Sequence, residues 1–401
     1  MAVREKAVVV GVVTEGLPLP ELQADLDELE ALLDTAGADV VARVVQKRAA
    51  PDPATFLGRG KVGELRELVV SHGAGLVAFD ADLTPAQVHH LEEGLPEGVK
   101  VLDRAAVILD IFALRARTRE AKLQVELAQM EYLLPRLTRR WQHLSRQAGG
   151  IGTRGVGETQ LEMDRRVIKR RITVLRRELA RVEKERRVQR GRRNRIPTVA
   201  LVGYTNAGKS ALFTRLTRQS TVVEDRLFAT LDPLVRRAVL PSGLTVAVAD
   251  TVGFIRKLPH QLVASFRATL LEAAGADLLV HVVDVAHPRW REHLRVGEEV
   301  LESLGVDPAH CLLALNKVDL LGDERPDAPE GRRSTFTSAV TGIGIEALAK
   351  ALDRELVNRG LVEVQKVSLE AGEGLRLALQ QRGVVGSRFS SLGLELFIRR
   401  R

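Results

Sequence analysis

Apolar residues fall into two rhythms along this chain, and the change of rhythm marks its parts. Ala7–Val13, Val40–Val45, Leu76–Phe79 and Val99–Leu102 are short β-rich runs. Between the first two, Leu22, Leu26, Leu29, Leu32 and Leu33 recur at helical spacing. Strand and helix in alternation predict a small, mostly parallel α/β domain over residues 1–114.

From there the period lengthens. Leu123, Leu127, Met130, Leu134, Leu137, Trp141 and Leu144 step by four and three. After a gap come Leu161, Ile168, Ile172, Leu175, Leu179 and Val182. Both sets are helical seams, and Pro135 is expected to kink or break the first. The intervening Gly149–Gly157 stretch is too glycine-rich for helix. Residues 115–195 therefore read as a long antiparallel helical hairpin with a Gly-rich tip, an interrupted single helix being the alternative.

The strand rhythm returns at Thr198, and now each strand runs into a polar motif. Thr198–Val202 leads into Gly203-Tyr204-Thr205-Asn206-Ala207-Gly208-Lys209-Ser210, and a helical run follows. This is the GxxxxGK[ST] loop, whose backbone amides wrap nucleotide phosphates; Lys209 should reach the β- and γ-phosphates and Ser210 should hold Mg²⁺. The apolar strand Leu244–Ala249 runs into Asp250-Thr-Val-Gly253, which suits a Mg²⁺-side carboxylate and a γ-phosphate-sensing amide. Leu312–Leu315 ends in Asn316-Lys317-Val-Asp319. There Asp319 can accept from both donors of guanine's N1/N2 edge, Asn316 can face its O6/N7 side, and the Lys317 stem can cover the base. Adenine lacks that donor pair and would leave Asp319 unpaired. Ser338-Ala339 fits a last base-contacting loop. Order and spacing predict a guanine-nucleotide P-loop domain with a mostly parallel sheet over 196–358, binding GTP/GDP with Mg²⁺. Residues 359–401 read as a small C-terminal α/β domain: strands at Leu361–Val367 and Leu392–Ile398, a helical pattern between, and a solvated Arg399–Arg401 end.

Charge changes this picture in one place. The 401 residues carry a net +8. Residues 115–195 hold 24 Lys+Arg against 9 Asp+Glu, a net of +15, so the remainder is −7. Such an imbalance self-repels unless a partner offsets it, and nucleic-acid phosphate is that partner. Aromatics on the hairpin are few, which favours folded RNA over base stacking on single strands. The Gly58-Arg-Gly60-Lys61 loop is a weak phosphate candidate beside the plainer reading of a tight turn with a solvated lysine. Nine histidines show no metal-ligand spacing, and the lone Cys311 sits in an apolar strand as a buried, inert thiol. The apolar run at 7–13 is too short for a secretion signal, and no stretch has the length of a membrane span. A cytoplasmic monomer is expected.

The chain resembles the HflX family of ribosome-associated GTPases. The likeness rests on Gly149-Gly-Ile-Gly-Thr-Arg-Gly-Val-Gly-Glu-Thr-Gln-Leu-Glu162 with Asp164-Arg-Arg166, on the 203–210 loop, on Phe228-Ala-Thr-Leu-Asp232, and on Asp250-Thr-Val-Gly-Phe-Ile-Arg256 with Leu258-Pro-His260. Val156, Met163 and Ala211 depart from the family pattern. The resemblance implies a ribosome-stimulated GTP hydrolase that binds the large subunit and its rRNA and splits or remodels ribosomes in rescue or recycling. A docking module with negligible turnover and a large-subunit assembly GTPase are the alternatives. It also implies that Thr230 completes the Mg²⁺ shell beside Ser210 and Asp250. Lys209, Thr230 and Gly253 are then the hydrolysis residues. Phe254 stands where many GTPases carry a water-orienting glutamine, so slow intrinsic turnover is expected. Asn206 resembles P-loop asparagines that ligate K⁺; bracing of the loop is the equal alternative.

Overall fold

The computed structural model describes residues 4–140, 156–193, 196–218, 227–228, 230–257, 275–322, 324–367, 384–390 and 393–399. They form two compact units, one within 1–180 and the other within 181–401 apart from residues 259–265.

The first unit opens with β1 (Glu5–Val13), α1 (Leu19–Ala36), β2 (Ala38–Lys47), α2 (Arg59–His72), β3 (Leu76–Phe79), α3 (Pro85–Gly94), β4 (Lys100–Asp103) and α4 (Arg104–Arg115). All strand pairs are parallel, in the order β2-β1-β3-β4, as the alternating pattern predicts. Burial follows the leucine spacing: Leu22, Leu26, Leu29, Leu32 and Leu33 of α1 are buried. Gly58 precedes the first turn of α2, its N–H donating to Gln46 Oε1 at 2.8 Å, and Lys61 pairs with Glu64 at 2.5 Å.

α5 (Arg119–Arg140) and α6 (Val156–Arg193) carry the two seams. Leu123 and Leu127 of the first, and Ile172, Leu175 and Leu179 of the second, are buried. Ion pairs join them: Arg171 to Glu126 at 2.6 Å, Arg176 to Glu131 at 2.7 Å, and Arg119 to Glu178 at 3.9 Å. Two expectations need correction. Pro135 does not break α5, which runs on to Arg140; Arg136, the next residue, is anchored to Asp103 at 2.6 Å and to the Leu83 carbonyl at 3.0 Å, contacts that hold the helix past the proline. Val156 and Gly157 belong to α6 rather than to a non-helical tip. Trp141, Leu144 and residues 149–155 lie outside the described residues.

The second unit is built on a six-stranded sheet of order β10-β9-β8-β5-β7-β6. Its strands are β5 (Thr198–Gly203), β6 (Leu234–Val239), β7 (Thr245–Asp250), β8 (Leu278–Asp284), β9 (Leu312–Asn316) and β10 (Ser334–Phe336). Only the edge strand β6 pairs antiparallel. Helices α7 (Lys209–Thr217), α8 (Trp290–Ser303) and α9 (Ile345–Asn358) complete it. Leu201, Val248, Val280 and Ala314 of the central strands pack with Leu212 and Phe213 of α7 and Leu348 and Leu352 of α9.

A three-stranded antiparallel sheet follows, β11 (Val362–Val367), β12 (Val384–Ser390) and β13 (Gly393–Arg399), in the order β11-β13-β12. Val362, Val385 and Phe397 join the core of the six-stranded sheet, and Leu244 bridges to Gly386. Two further corrections arise here. Residues 384–390 are strand, not part of a helical pattern. Arg399 is not a solvated end: it pairs with Asp277 at 2.9 and 3.1 Å and donates to the Ile196 carbonyl. A guanidinium that finds a carboxylate and a carbonyl at a chain crossing leaves water for them.

Candidate active site

The loop 203–210 follows from β5 being central. Parallel pairing sets Leu201 opposite Asp250 and Gly203 opposite Val282, so the phosphate loop leaves β5 just past the carboxyl end of β7. Ligands of open α/β sheets bind at the carboxyl ends of such strands. Gly208 takes φ +90°, and a Cβ there would stand 2.2 Å from Asn316 Nδ2, so the loop closes this tightly only with glycine. α7 then starts at Lys209 and turns its free N–H groups toward the loop.

Three predicted residues meet at the β7 end. Ser210 Oγ donates to Asp250 Oδ2 at 2.6 Å, Thr230 Oγ1 donates to the same oxygen at 3.1 Å, and the two hydroxyls stand 2.9 Å apart. Asp250 is fully buried and its Oδ1 has no partner among the described residues. Burial raises its pKa above the usual carboxylate range, opposed by Ser210, Lys209 and Thr230. A buried carboxylate with one open lone-pair face and two hydroxyls beside it is an oxygen donor set for a hard divalent cation, and Mg²⁺ fits it.

Lys209 is also buried. Its Nζ donates to the Gly203 and Tyr204 carbonyls at 3.1 and 2.7 Å, and burial pushes its amine down to about 8 while Asp250 pulls the other way. Gly253 abuts this point: a Cβ on it would lie 2.8 Å from Thr205 Cα and 2.9 Å from Lys209 Nζ. Phe254 N–H donates to the Gly203 carbonyl at 2.9 Å and its carbonyl accepts from Thr205 N at 2.7 Å. The Phe254 side chain is buried with Val202, Leu279, Leu301 and Cys311. It faces the core, so its place in the motif delivers no side chain to the phosphate side. Asn206 is exposed in a left-handed turn of φ 59°.

The base-side residues converge as well. Asn316 is buried, donates to the Ala207 carbonyl at 2.9 Å, and accepts from Ala339 N and Thr337 Oγ1 at 3.2 Å each. It therefore ties the phosphate loop to the Ser338-Ala339 loop through its own side chain. Ser338 is buried and its Oγ accepts from Thr341 N at 3.0 Å. Asp319 is exposed on a short 3-10 turn, free to face a base edge. Lys317 pairs with Asp284 at 2.8 Å. Asp284 ends β8 and was not singled out from sequence; its register opposite Asn316 puts it there. His260 lies outside the described residues.

The fold and this constellation define a P-loop guanine-nucleotide hydrolase. Comparison with known proteins makes the class particular. The family model described as GTP-binding GTPase N-terminal covers residues 23–113, the GTP-binding GTPase Middle Region covers 115–193, and the 50S ribosome-binding GTPase covers 198–317. The GTPase HflX of Escherichia coli (strain K12) is 49% identical over 340 residues, 83% of this chain and 79% of that protein. The GTPase HflX of Caldanaerobacter subterraneus subsp. tengcongensis is 48% identical over 88% of this chain and 81% of its own length, and that of Spirochaeta thermophila is 39% identical over 93% and 92%. Among solved structures, a GTP-binding protein of Sulfolobus solfataricus in complex with GDP is similar over 88% of this chain and 99% of its own, at 25% identity and a TM-score of 0.45. The chain belongs to the HflX family of GTPases: it binds guanine nucleotide and is a GTP hydrolase.

Proposed function

We propose that this GTPase docks on the large ribosomal subunit through its basic helical region and, in the GTP-bound state, splits or remodels ribosomes. The observation that carries the reading is the segregation of charge: +15 within 115–195 against −7 elsewhere. Ion pairs within the region leave that net charge unchanged, and Arg170 and Arg177 of α6 are exposed. Phosphate-rich RNA is the partner that such an arm recognises, and the family description of a 50S ribosome-binding GTPase agrees with it. No helix among the described residues is long and apolar enough to cross a membrane.

Within the site, Ser210, Thr230 and Asp250 would hold Mg²⁺, which when bound would supply charge stabilisation at the phosphates. Lys209 places its ammonium on the same phosphates, and the anionic ligand restores the full charge that burial disfavours. The Gly253 amide contacts the γ-phosphate, and Asp319 selects guanine. Asn206, exposed in the loop, would either ligate K⁺ beside the phosphates or brace the loop. With Phe254 buried, no side chain at that position orients the attacking water. Intrinsic turnover is therefore slow, and the ribosome stimulates it.

Sucrose-gradient profiles of intact ribosomes, with the protein and a non-hydrolysable GTP analogue, test the role. Separation into subunits is expected. Particles that stay associated, with the protein bound only to free large subunits, would instead mark an assembly factor.

A further inference from the structure

The segment after Gly253 is held from a direction that the nucleotide motifs do not include. The Arg256 N–H donates to the Tyr204 hydroxyl at 3.0 Å. The Tyr204 ring lies flat on His293 of α8, with centroids 3.9 Å apart and planes 2° from parallel. The His287 ring also lies against His293, with centroids 4.3 Å apart and planes tilted by 33°. One residue before His293, Glu292 accepts from Arg256 Nη1 at 2.8 Å and from Arg289 Nε at 2.6 Å. The Arg256 and Glu292 side chains are 13% and 25% exposed, so water screens this pair only in part. Burial raises the Glu292 pKa, but its bonds to the two arginines outweigh that and leave it below the ordinary range. His293 is pushed down to about 4, first by burial and then by the neighbouring cationic groups, so it stacks as a neutral ring.

α8 comes close enough to make these contacts because Gly297 faces the sheet. A Cβ there would meet His281 Nε2 at 2.4 Å and Phe254 Cδ2 at 3.5 Å. The stretch from Phe254 to Arg256 is thus fixed three times: to Gly203 and Thr205 by backbone bonds, to the Tyr204 hydroxyl, and to Glu292. Gly253, immediately before it, lies against Lys209 and Thr205 while Ser210, Thr230 and Asp250 are drawn together.

We propose that Glu292 and the Tyr204–His293 stack are positioning residues for GTP hydrolysis: through Arg256 they hold the Gly253 amide at the γ-phosphate position beside Lys209. The inference rests on the γ-phosphate role of Gly253 given above. Neither Glu292 nor His293 touches the nucleotide loops' phosphate side; both act through the segment they hold. A device that fixes only the γ-phosphate end affects GTP turnover and leaves GDP, which lacks that phosphate, bound as before.

Single-turnover GTP hydrolysis and GDP affinity of the full-length chain test it, with Tyr204→Phe, Glu292→Gln, Glu292→Asp and Gly253→Ala. Tyr204→Phe keeps the stack and removes only the hydroxyl acceptor. It and Glu292→Gln should each slow the hydrolysis step roughly three- to tenfold, as small misplacements of reacting groups do. GDP affinity should stay within about twofold, the double variant should be no slower than about its worse single, since both act on one segment, and Glu292→Asp should recover part of the loss. Unchanged hydrolysis in Tyr204→Phe and Glu292→Gln, with Gly253→Ala inactive, overturns the positioning role alone. Equal weakening of GDP binding and hydrolysis overturns it too, because that is what loss of folding gives. If Gly253→Ala hydrolyses normally, the γ-phosphate role falls and the inference falls with it.

Discussion

Both units contain a parallel sheet with carboxylates at its strand ends, yet the two sets of carboxylates are neutralised differently. In the first unit Asp80, just past β3, pairs with Arg104 at 2.7 Å, and Arg104 also binds Glu28. Asp103 at the end of β4 pairs with Arg136 at 2.6 Å, accepts from Tyr132 at 2.8 Å and caps α4 through Ala106 N at 2.9 Å. Both carboxylates are buried, and each buried charge meets a guanidinium. In the second unit Asp250 meets two hydroxyls, and its other oxygen has no partner among the described residues. Burying a carboxylate against arginines completes a structure. Burying one against hydroxyls leaves charge to be met by a ligand. The comparison teaches that a buried acid at a strand end marks chemistry when, as at Asp250, no guanidinium of the chain bonds to it directly.

The largest effect that could break this comparison lies on the base side. Asp319 is exposed on its 3-10 turn, and with the base-edge role proposed for it Asp319→Ala should weaken GTP binding by roughly a hundredfold, in line with losing two charge-assisted bonds. Calorimetry reads it, and unchanged GTP affinity would remove Asp319 from the base site. Next in size is a pH effect that belongs to packing. His281 on β8 is buried beside Gly297, neither ring nitrogen has a partner among the described residues, and burial, then Arg332 and Lys209, hold its pKa down to about 3. The folded value is below the unfolded one. Stability from the neutral ring is therefore complete above about pH 6.5 and is lost as pH falls toward 3. By pH 5 the loss is on the order of 2 kcal/mol. His281→Leu should flatten that decline in urea melts between pH 7 and 5; an unchanged decline would assign it to other groups. Smallest is the cation: exchanging K⁺ for Na⁺ should slow ribosome-free turnover several-fold if Asn206 supports an ion that stabilises transition-state charge. Equal rates would return Asn206 to solvent.

Much of this was legible in order along the chain, because the phosphate loop, Asp250 and Asn316–Asp319 each follow an apolar strand and Ser338 follows a strand-like stretch. The parallel pairing that joins Asp250 to Ser210 follows from that alternation. What local pattern could not show was contact between distant segments. Asn316 reads as a base-facing amide, but its side chain braces Ala207 and Ala339. Arg256 meets Glu292, and Tyr204 meets His293, only because α8 returns across β8. The edge strands were obscured for a different reason. β6 carries Arg236 and Arg237 on an exposed edge, and β12 is interrupted by Gly386 and Ser387, so neither shows strand alternation. Pro135 misled because tertiary contacts of the next residue, Arg136 with Asp103 and the Leu83 carbonyl, hold the helix past the lost backbone bond.

The most direct test sets the two acids side by side. GTP turnover of Asp250→Asn and Asp80→Asn is measured at a temperature where circular dichroism shows both folded. The account predicts a loss of at least about a hundredfold for Asp250→Asn, as for removal of a charge-stabilising group at a reacting phosphate. It predicts turnover within about twofold of the parent for Asp80→Asn, with the cost appearing as lowered thermal stability. Normal turnover in Asp250→Asn, or its collapse in a folded Asp80→Asn, would contradict it.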